Sequence, residues 1–413
     1  MKKLLLTIAM IASLISCENN DEGKTVQNDA NAQSINPSRI CASDDILQSK
    51  IASDPEFAAR RANIEAFTRN YVANESTYRL VNNNVVIPIM FNILYNTNEQ
   101  NISEAKLHQQ IEILNKDFAG VNPNPDLVYN DKKGKSKIVF EYAGSQRKYT
   151  TKLNWKFTEV VSLTGFAATT PTTKLNIWIV PYAQANDNSI RVGYASFPGF
   201  PANMDGVVIS HDFVSFSPNP GYRESRGKTA AHEVGHYLGL NHIWGDTTCG
   251  NDGITDTPQH DKANEAFVPV GARSGCPSNE FKMYMNFMDY TSENLQTMFT
   301  TGQVSVMNAT LAAGGPRQSF RAVDNNVATV YQHGNYGGYA VKLPVGNYTL
   351  QQLQQKGVVN DDLSSATILY GYEIILFQND NFLGNSLIVG TNSSLFTNGF
   401  NDITSSIRVR VKP

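Results

Sequence analysis

The sequence predicts an α+β chain, with mixed strands and helices from 84 to 318 and an all-β unit from 328 to 413. Three observations carry that expectation. Through the first region, Val- and Ile-rich runs alternate with amphipathic helical segments. Near residue 325 helical periodicity stops, and short β-rich runs between Gly and Asn turns take over. The C-terminal stretch also repeats itself: "VYQHGNYGG" at 330–338 matches "LFQNDNFLG" at 376–384, and "NDDLSS" at 360–365 matches "NDITSS" at 401–406. Two copies of one β motif predict a small sandwich of their own.

Taken in order, the chain opens with "MKKLLLTIAMIASLISC". Two lysines precede an apolar run from Leu4 to Ile15 that is too short to span a bilayer and suits a signal peptide. Its end resembles a bacterial lipoprotein cleavage box, which would make Cys17 the lipidated first residue of an exported, membrane-anchored protein. The polar stretch after it reads as a tether, so 18–83 divides into tether and helical segment, with helix expected over 44–75. "NNNVVIPIMFNILYNT" reads as a strand, and "ISEAKLHQQIEILNKDFAGV" as a helix with Ile111, Leu114 and Phe118 on one face. "SKIVFEYAG", "KLNIWIVPYA" and "DGVVISHDF" supply further strands. The net charge of −3, from 34 Lys and Arg against 37 Asp and Glu, gives no field that would select nucleic acid or a membrane surface.

The chemistry concentrates in "HEVGHYLGLNH", 232–242. On a helix, His232 and His236 project from one face and can reach one ion. Gly239 can adopt a positive φ and end the helix, turning the chain to bring in His242 as third ligand. Three histidines leave a position open, as a catalytic zinc requires. Glu233 would then take a proton as zinc-bound water attacks a peptide carbonyl, and pass it to the leaving amine.

This H-E-x-x-H-x-x-G-x-x-H pattern resembles the metzincin zinc metalloproteases. With "DGITDTP" and "NFMDY", it resembles their pappalysin family in particular, over roughly 84–315. The resemblance implies a metzincin-like domain with a mixed twisted sheet, an active-site helix and an irregular lower half. It further implies Met288 as the methionine-turn residue beneath the zinc, Tyr290 as stabiliser of the oxyanion, and structural calcium near the site, with Asp252 and Asp256 as candidate oxygen ligands. A Cys249–Cys276 disulfide matches the family's, and closing that loop would stabilise by roughly 3 kcal/mol. Some relatives prefer a basic residue after the cleaved bond, which makes Glu293 in "TSENLQTMF" a candidate charge for such a pocket.

That pairing leaves Cys41 over. Arg39 and Cys41 match an Arg-x-Cys-[Gly/Ala] segment of pappalysin-like prosegments, with Ala42 where Gly is common. Cys41 is therefore expected to occupy the fourth zinc position and hold the precursor latent. The C-terminal repeat resembles a βγ-crystallin domain: Tyr331, Tyr336 and Gly338 recur as Phe377, Phe382 and Gly384. That resemblance implies calcium sites at Asn360, Asp361 and Ser364, and at Asn401, Asp402 and Ser405. It leaves a glycan or surface ligand open. The leading expectation is an exported zinc endopeptidase acting on proteins or peptides, secreted or held to the membrane only through its lipid. The alternative is a surface lipoprotein adhesin on a weakly active protease scaffold, against which the intact Glu233 stands.

Overall fold

Nine of the eleven side chains from Val85 to Tyr95 are β-branched, aromatic or long aliphatic. In the computed structural model they form the central strand β1 (Val85–Tyr95). The structure describes residues 41–75, 85–163, 165–185, 188, 190–217, 225–265, 267–321 and 326–412. Cys17, Arg39 and the leader and tether expected before them lie outside the described residues. Among the described residues no helix is long and apolar enough to cross a membrane.

Ahead of β1 lie α1 (Ser43–Ser53) and α2 (Pro55–Ala73). The single helix expected over 44–75 is thus two. Asp54 leaves the helical region at φ −138°, its side chain accepts the Phe57 amide at 2.9 Å, and Pro55 takes the first helical position, where its missing N–H costs nothing. After β1 come α3 (Glu104–Phe118), β2 (Ile138–Tyr149), β3 (Asn154–Trp155), α4 (Phe157–Val161), β4 (Leu175–Val180), β5 (Tyr182–Gln184), β6 (Ile190–Arg191), β7 (Gly193–Ala195) and β8 (Val207–Ser210). The main sheet has the order β2-β1-β4-β8-β7. Its first four strands run parallel, and β7 lies antiparallel along the edge. The region is therefore a mixed α/β layer. Pro88 is tolerated in a central strand because pairing with β4 begins only at Ile89.

Alternation along β1 divides the core. Ile87, Ile89, Phe91 and Ile93 join Leu107, Ile111, Leu114 and Phe118 of α3, and they also pack with Ala230, Ala231 and Val234 of α5 (Lys228–Tyr237). Leu94, Trp178 and Val208 belong to a second cluster, which Ala42, Leu47 and Phe57 complete from the N-terminal helices. Beyond the ribbon β9 (Phe216–Ser217) and β10 (Ser225–Arg226), α5 leads into an irregular stretch that ends in α6 (Thr301–Leu311).

Among the described residues the C-terminal part is all-β apart from one short α-helix, α7 (Leu350–Gln355), and 3₁₀ turns at Gly334–Tyr336 and Asp380–Phe382. Strands β11 (Asn326–His333), β12 (Gly337–Pro344) and β14 (Ser365–Ile368) form one sheet. The other contains β13 (Gly346–Tyr348), β15 (Tyr372–Asn379), β16 (Leu383–Val389) and β17 (Ser406–Val411). The third strand of the first repeat thus crosses into the sheet of the second. The repeats also mirror each other in detail. Asn335 and Tyr336 have positive φ, as do Asn381 and Phe382, and Tyr331–Tyr336 and Phe377–Phe382 stack edge-on at 5.6 and 5.7 Å. Val86 and Val139 of the main sheet enter the core of this unit, so the two regions share apolar surface.

Candidate active site

Helix α5 ends where Gly239 takes φ +100°, as its position in the motif requires. The turn brings His242 back beneath the helix. Each imidazole is fixed through Nδ1: His232 to the Phe287 carbonyl at 2.7 Å, His236 to the Leu240 carbonyl at 2.8 Å, His242 to the Asp246 carboxylate at 2.7 Å. These are acceptors, so each Nδ1 carries the hydrogen and each Nε2 presents a lone pair. The Nε2 atoms nevertheless converge, with 3.2 Å between His236 and His232 and 3.1 Å between His236 and His242. Three lone pairs facing one another repel unless a cation sits between them. Burial and the other two rings hold His236 well below the ordinary histidine range, and the neutral ring is the form that binds metal.

Cys41 completes the cluster. Its Sγ and one nitrogen from each histidine lie within 4.8 Å of one another, all buried. Cys41 Sγ is also 3.2 Å from Glu233 Oε2. Burial, then the Glu233 charge, pushes the Cys41 thiol well up, and burial lifts Glu233 to about 8. A cation held by the three rings would reverse both shifts by favouring thiolate and carboxylate. Glu233 Oε1 is buried and has no hydrogen-bond partner among the described residues, so one oxygen of the expected base is uncommitted. Tyr290 places its hydroxyl 3.2 Å from His242 Nε2 and accepts the Cys41 amide at 3.2 Å. Met288 is fully buried beneath α5, and a Cβ at Gly235 would lie 2.5 Å from its Sδ.

Ser43 was not legible as a site residue. Its hydroxyl donates to Glu233 Oε2 at 3.0 Å and accepts the Ala195 amide at 2.7 Å, while the Ala42 amide reaches the Gly193 carbonyl at 3.3 Å. Cys41–Ser43 thereby lies along the edge strand β7. Ser43 is the first residue of α1, two positions after Cys41, and nothing in its local sequence distinguishes it from an ordinary helix-start serine. Behind it, Arg60 and Arg61 donate to the carbonyls of Gly199 and Pro198, and Phe57 packs edge-on against Phe200 at 4.9 Å.

Other expected residues fall elsewhere. Cys249 and Cys276 are joined, and Cys41 remains a free thiol. Asp252 accepts from the Ile254 amide and the Thr257 hydroxyl through Oδ1, while its Oδ2 is buried without a partner among the described residues. Asp256 commits both oxygens to the start of α6, at Thr300 Oγ1 and the Gly302 amide. Neither aspartate belongs to a group of three or more ligand side chains among the described residues. Asp361 and Asp402 come together across the repeats, accepting from Ser405 at 3.2 Å and Ser364 at 2.8 Å, with Asn360 and Asn401 donating to the aspartate that follows each. Glu293 departs from the expectation of a substrate-facing charge. It is buried, and its carboxylate accepts from the Lys228 and Thr229 amides. The open first turn of α5 offers amide donors that compete for that carboxylate, and spacing from Tyr290 alone could not reveal them.

Comparison with known proteins meets this geometry. The peptidase M43 family model, described as pregnancy-associated plasma protein-A, matches residues 168–312. Mirolysin in complex with a compound is 31% identical and superimposes with a TM-score of 0.53, covering 58% of this chain and 97% of that one. The chain belongs to the pappalysin-like metalloprotease family. A promirolysin mutant from Tannerella forsythia, 29% identical, covers more of this chain, 68%, and 97% of its own, with a TM-score of 0.59. An extracellular metalloprotease of Colletotrichum graminicola is 32% identical over 218 residues, which span 50% of this chain and 69% of the relative.

Proposed function

We propose that the chain is an exported zinc endopeptidase made as a latent precursor, with His232, His236 and His242 holding the metal. The supporting observation is the convergence of three Nε2 lone pairs whose Nδ1 partners leave them no hydrogen to share. Zinc bound there supplies the Lewis acidity that polarises a scissile carbonyl and acidifies water. Glu233 takes the proton from the attacking water and returns it to the leaving amine. The Tyr290 hydroxyl donates to the developing oxyanion, and Met288 supports the helix from below. In the precursor, Cys41 fills the open ligand position while Ser43 occupies the base and the edge-strand amide. Export agrees with the extracellular relatives. Lipidation at Cys17 is proposed from the leader sequence alone.

We further propose the division into leader 1–17, prosegment 18–83, catalytic domain 84–318 and a βγ-crystallin-like domain 328–413. Calcium at Asp252 has the support of its unpartnered, buried Oδ2, whose carboxyl burial lifts to about 7. Calcium at the paired 360–364 and 401–405 loops has the support of the crossed Asp–Ser contacts. A glycan or surface ligand for that domain is the corresponding proposal for its role. The mechanism is tested by Glu233→Ala: we expect one zinc per chain and turnover lower by several orders of magnitude. Wild-type turnover in that variant would remove Glu233 from the mechanism.

A further inference from the structure

The helix that carries the site has no cap of its own. Its N-cap residue, Gly227, sits at φ +71°, and a Cβ there would lie 3.0 Å from Gln110 Oε1 and Ile113 Cδ1. The left-handed backbone and the crowding disfavour Ser, Thr and Asp, the usual capping residues, at this position. The first-turn amides need another acceptor, because buried N–H groups left open are costly.

Glu293 supplies it from a distant part of the chain. Oε2 accepts the Arg226 amide and the Lys228 amide, the latter at 3.1 Å. Oε1 accepts the Thr229 amide at 3.0 Å and the Thr229 hydroxyl at 2.7 Å. Ser225 Oγ lies 3.4 Å from Oε2. The carboxylate also places a negative charge at the positive end of the helix dipole. The Lys228 side chain turns instead to Asp117.

The two ends of this clamp are both part of the site. Thr229 lies one turn before His232 and Glu233. Glu293 lies three residues after Tyr290, on a segment held by Thr291 Oγ1 donating to the Tyr284 carbonyl and Gln296 Nε2 donating to the Asp289 carbonyl, each at 2.6 Å. We infer that Glu293 is a positioning residue that fixes the start of the helix bearing His232 and Glu233 to the segment bearing Tyr290, setting the two relative to each other. It is not the charge that selects a basic substrate residue. The inference rests on the hydrolytic reading of His232, His236, His242 and Glu233.

The test uses the activated full-length protein and Glu293→Gln, with two peptides that differ only in Arg or Leu after the cleaved bond. We expect kcat to fall about tenfold to a hundredfold on both peptides, with KM within about twofold, since small misplacements of catalytic groups cost rate rather than binding. The visible spectrum of the cobalt-substituted variant should shift, and hydrogen exchange at Lys228 and Thr229 should quicken. A loss confined to a raised KM for the Arg peptide, with unchanged spectrum and exchange, would overturn the inference. The wild type tests it even if the variant does not fold: slow exchange at the Lys228 and Thr229 amides is required, and fast exchange contradicts it. Cleavage persisting in Glu233→Ala would instead defeat the hydrolytic reading, leaving the exchange result untouched.

Discussion

Cys41 and Ser43 act on different atoms of the same site, and that separates their mutational effects. Cys41 lies among the three imidazoles, whereas Ser43 bridges Glu233 Oε2 and the Ala195 amide. Under the proposed function, removing the thiol would open the fourth ligand position and leave the Ser43 contact to Glu233 in place. Cys41→Ala should therefore yield a precursor that processes itself faster than wild type, and Cys41→Ala/Ser43→Ala one that is faster still. Time courses of precursor conversion on gels measure this; unchanged latency in both variants contradicts the two-point block. At this scale the convergence of the three histidines was legible because helical spacing and one glycine fix their geometry. The Nδ1 partners were not, since two of the three are backbone carbonyls, which every residue possesses.

Helix α5 shows how little freedom an element has once it carries chemistry. An alanine at Gly235 would gain about 1 kcal/mol in helix propensity. The new Cβ would meet Met288 Sδ at 2.5 Å in a fully buried setting, and overpacking of that kind costs about 1–3 kcal/mol. Gly235→Ala should thus lower the midpoint of thermal unfolding by several degrees, whereas an unchanged or higher midpoint would show that Met288 moves freely. The break between α1 and α2 was written in Asp54 and Pro55, but irregular apolar spacing across 44–75 obscured it. The trans cap of α5 left no local trace, because Glu293 and Gly227 are far apart in sequence. The β strands were easier to read, since β1, β4 and β8 are apolar runs buried in a sheet.

Across the whole molecule, the all-β unit docks through His108 on α3. Its ring packs at a tilt against Tyr336 at 3.5 Å and Tyr142 at 4.3 Å between centroids, both ring nitrogens lack partners among the described residues, and Lys342 pairs with Glu141 nearby at 2.9 Å. Burial lowers His108 from 6.5 to about 4, against a smaller opposing effect of Glu104. The unfolded chain therefore binds more protons between those values, so stability is full above about 6.5 and falls as pH drops toward 4. The loss is on the order of 3 kcal/mol. Denaturant midpoints at pH 7 and 4.5 should differ less in His108→Phe than in wild type; equal differences would free His108 of that role. The internal repeat made this unit legible, but docking depends on surfaces that the sequence does not juxtapose. The proposed hydrolysis depends on the metal. Casein hydrolysis by the activated chain, with and without phenanthroline, tests it most directly. Cleavage that stops in the chelator and returns with added zinc is the predicted result, and cleavage that persists in the chelator, or is absent in both conditions, would contradict it.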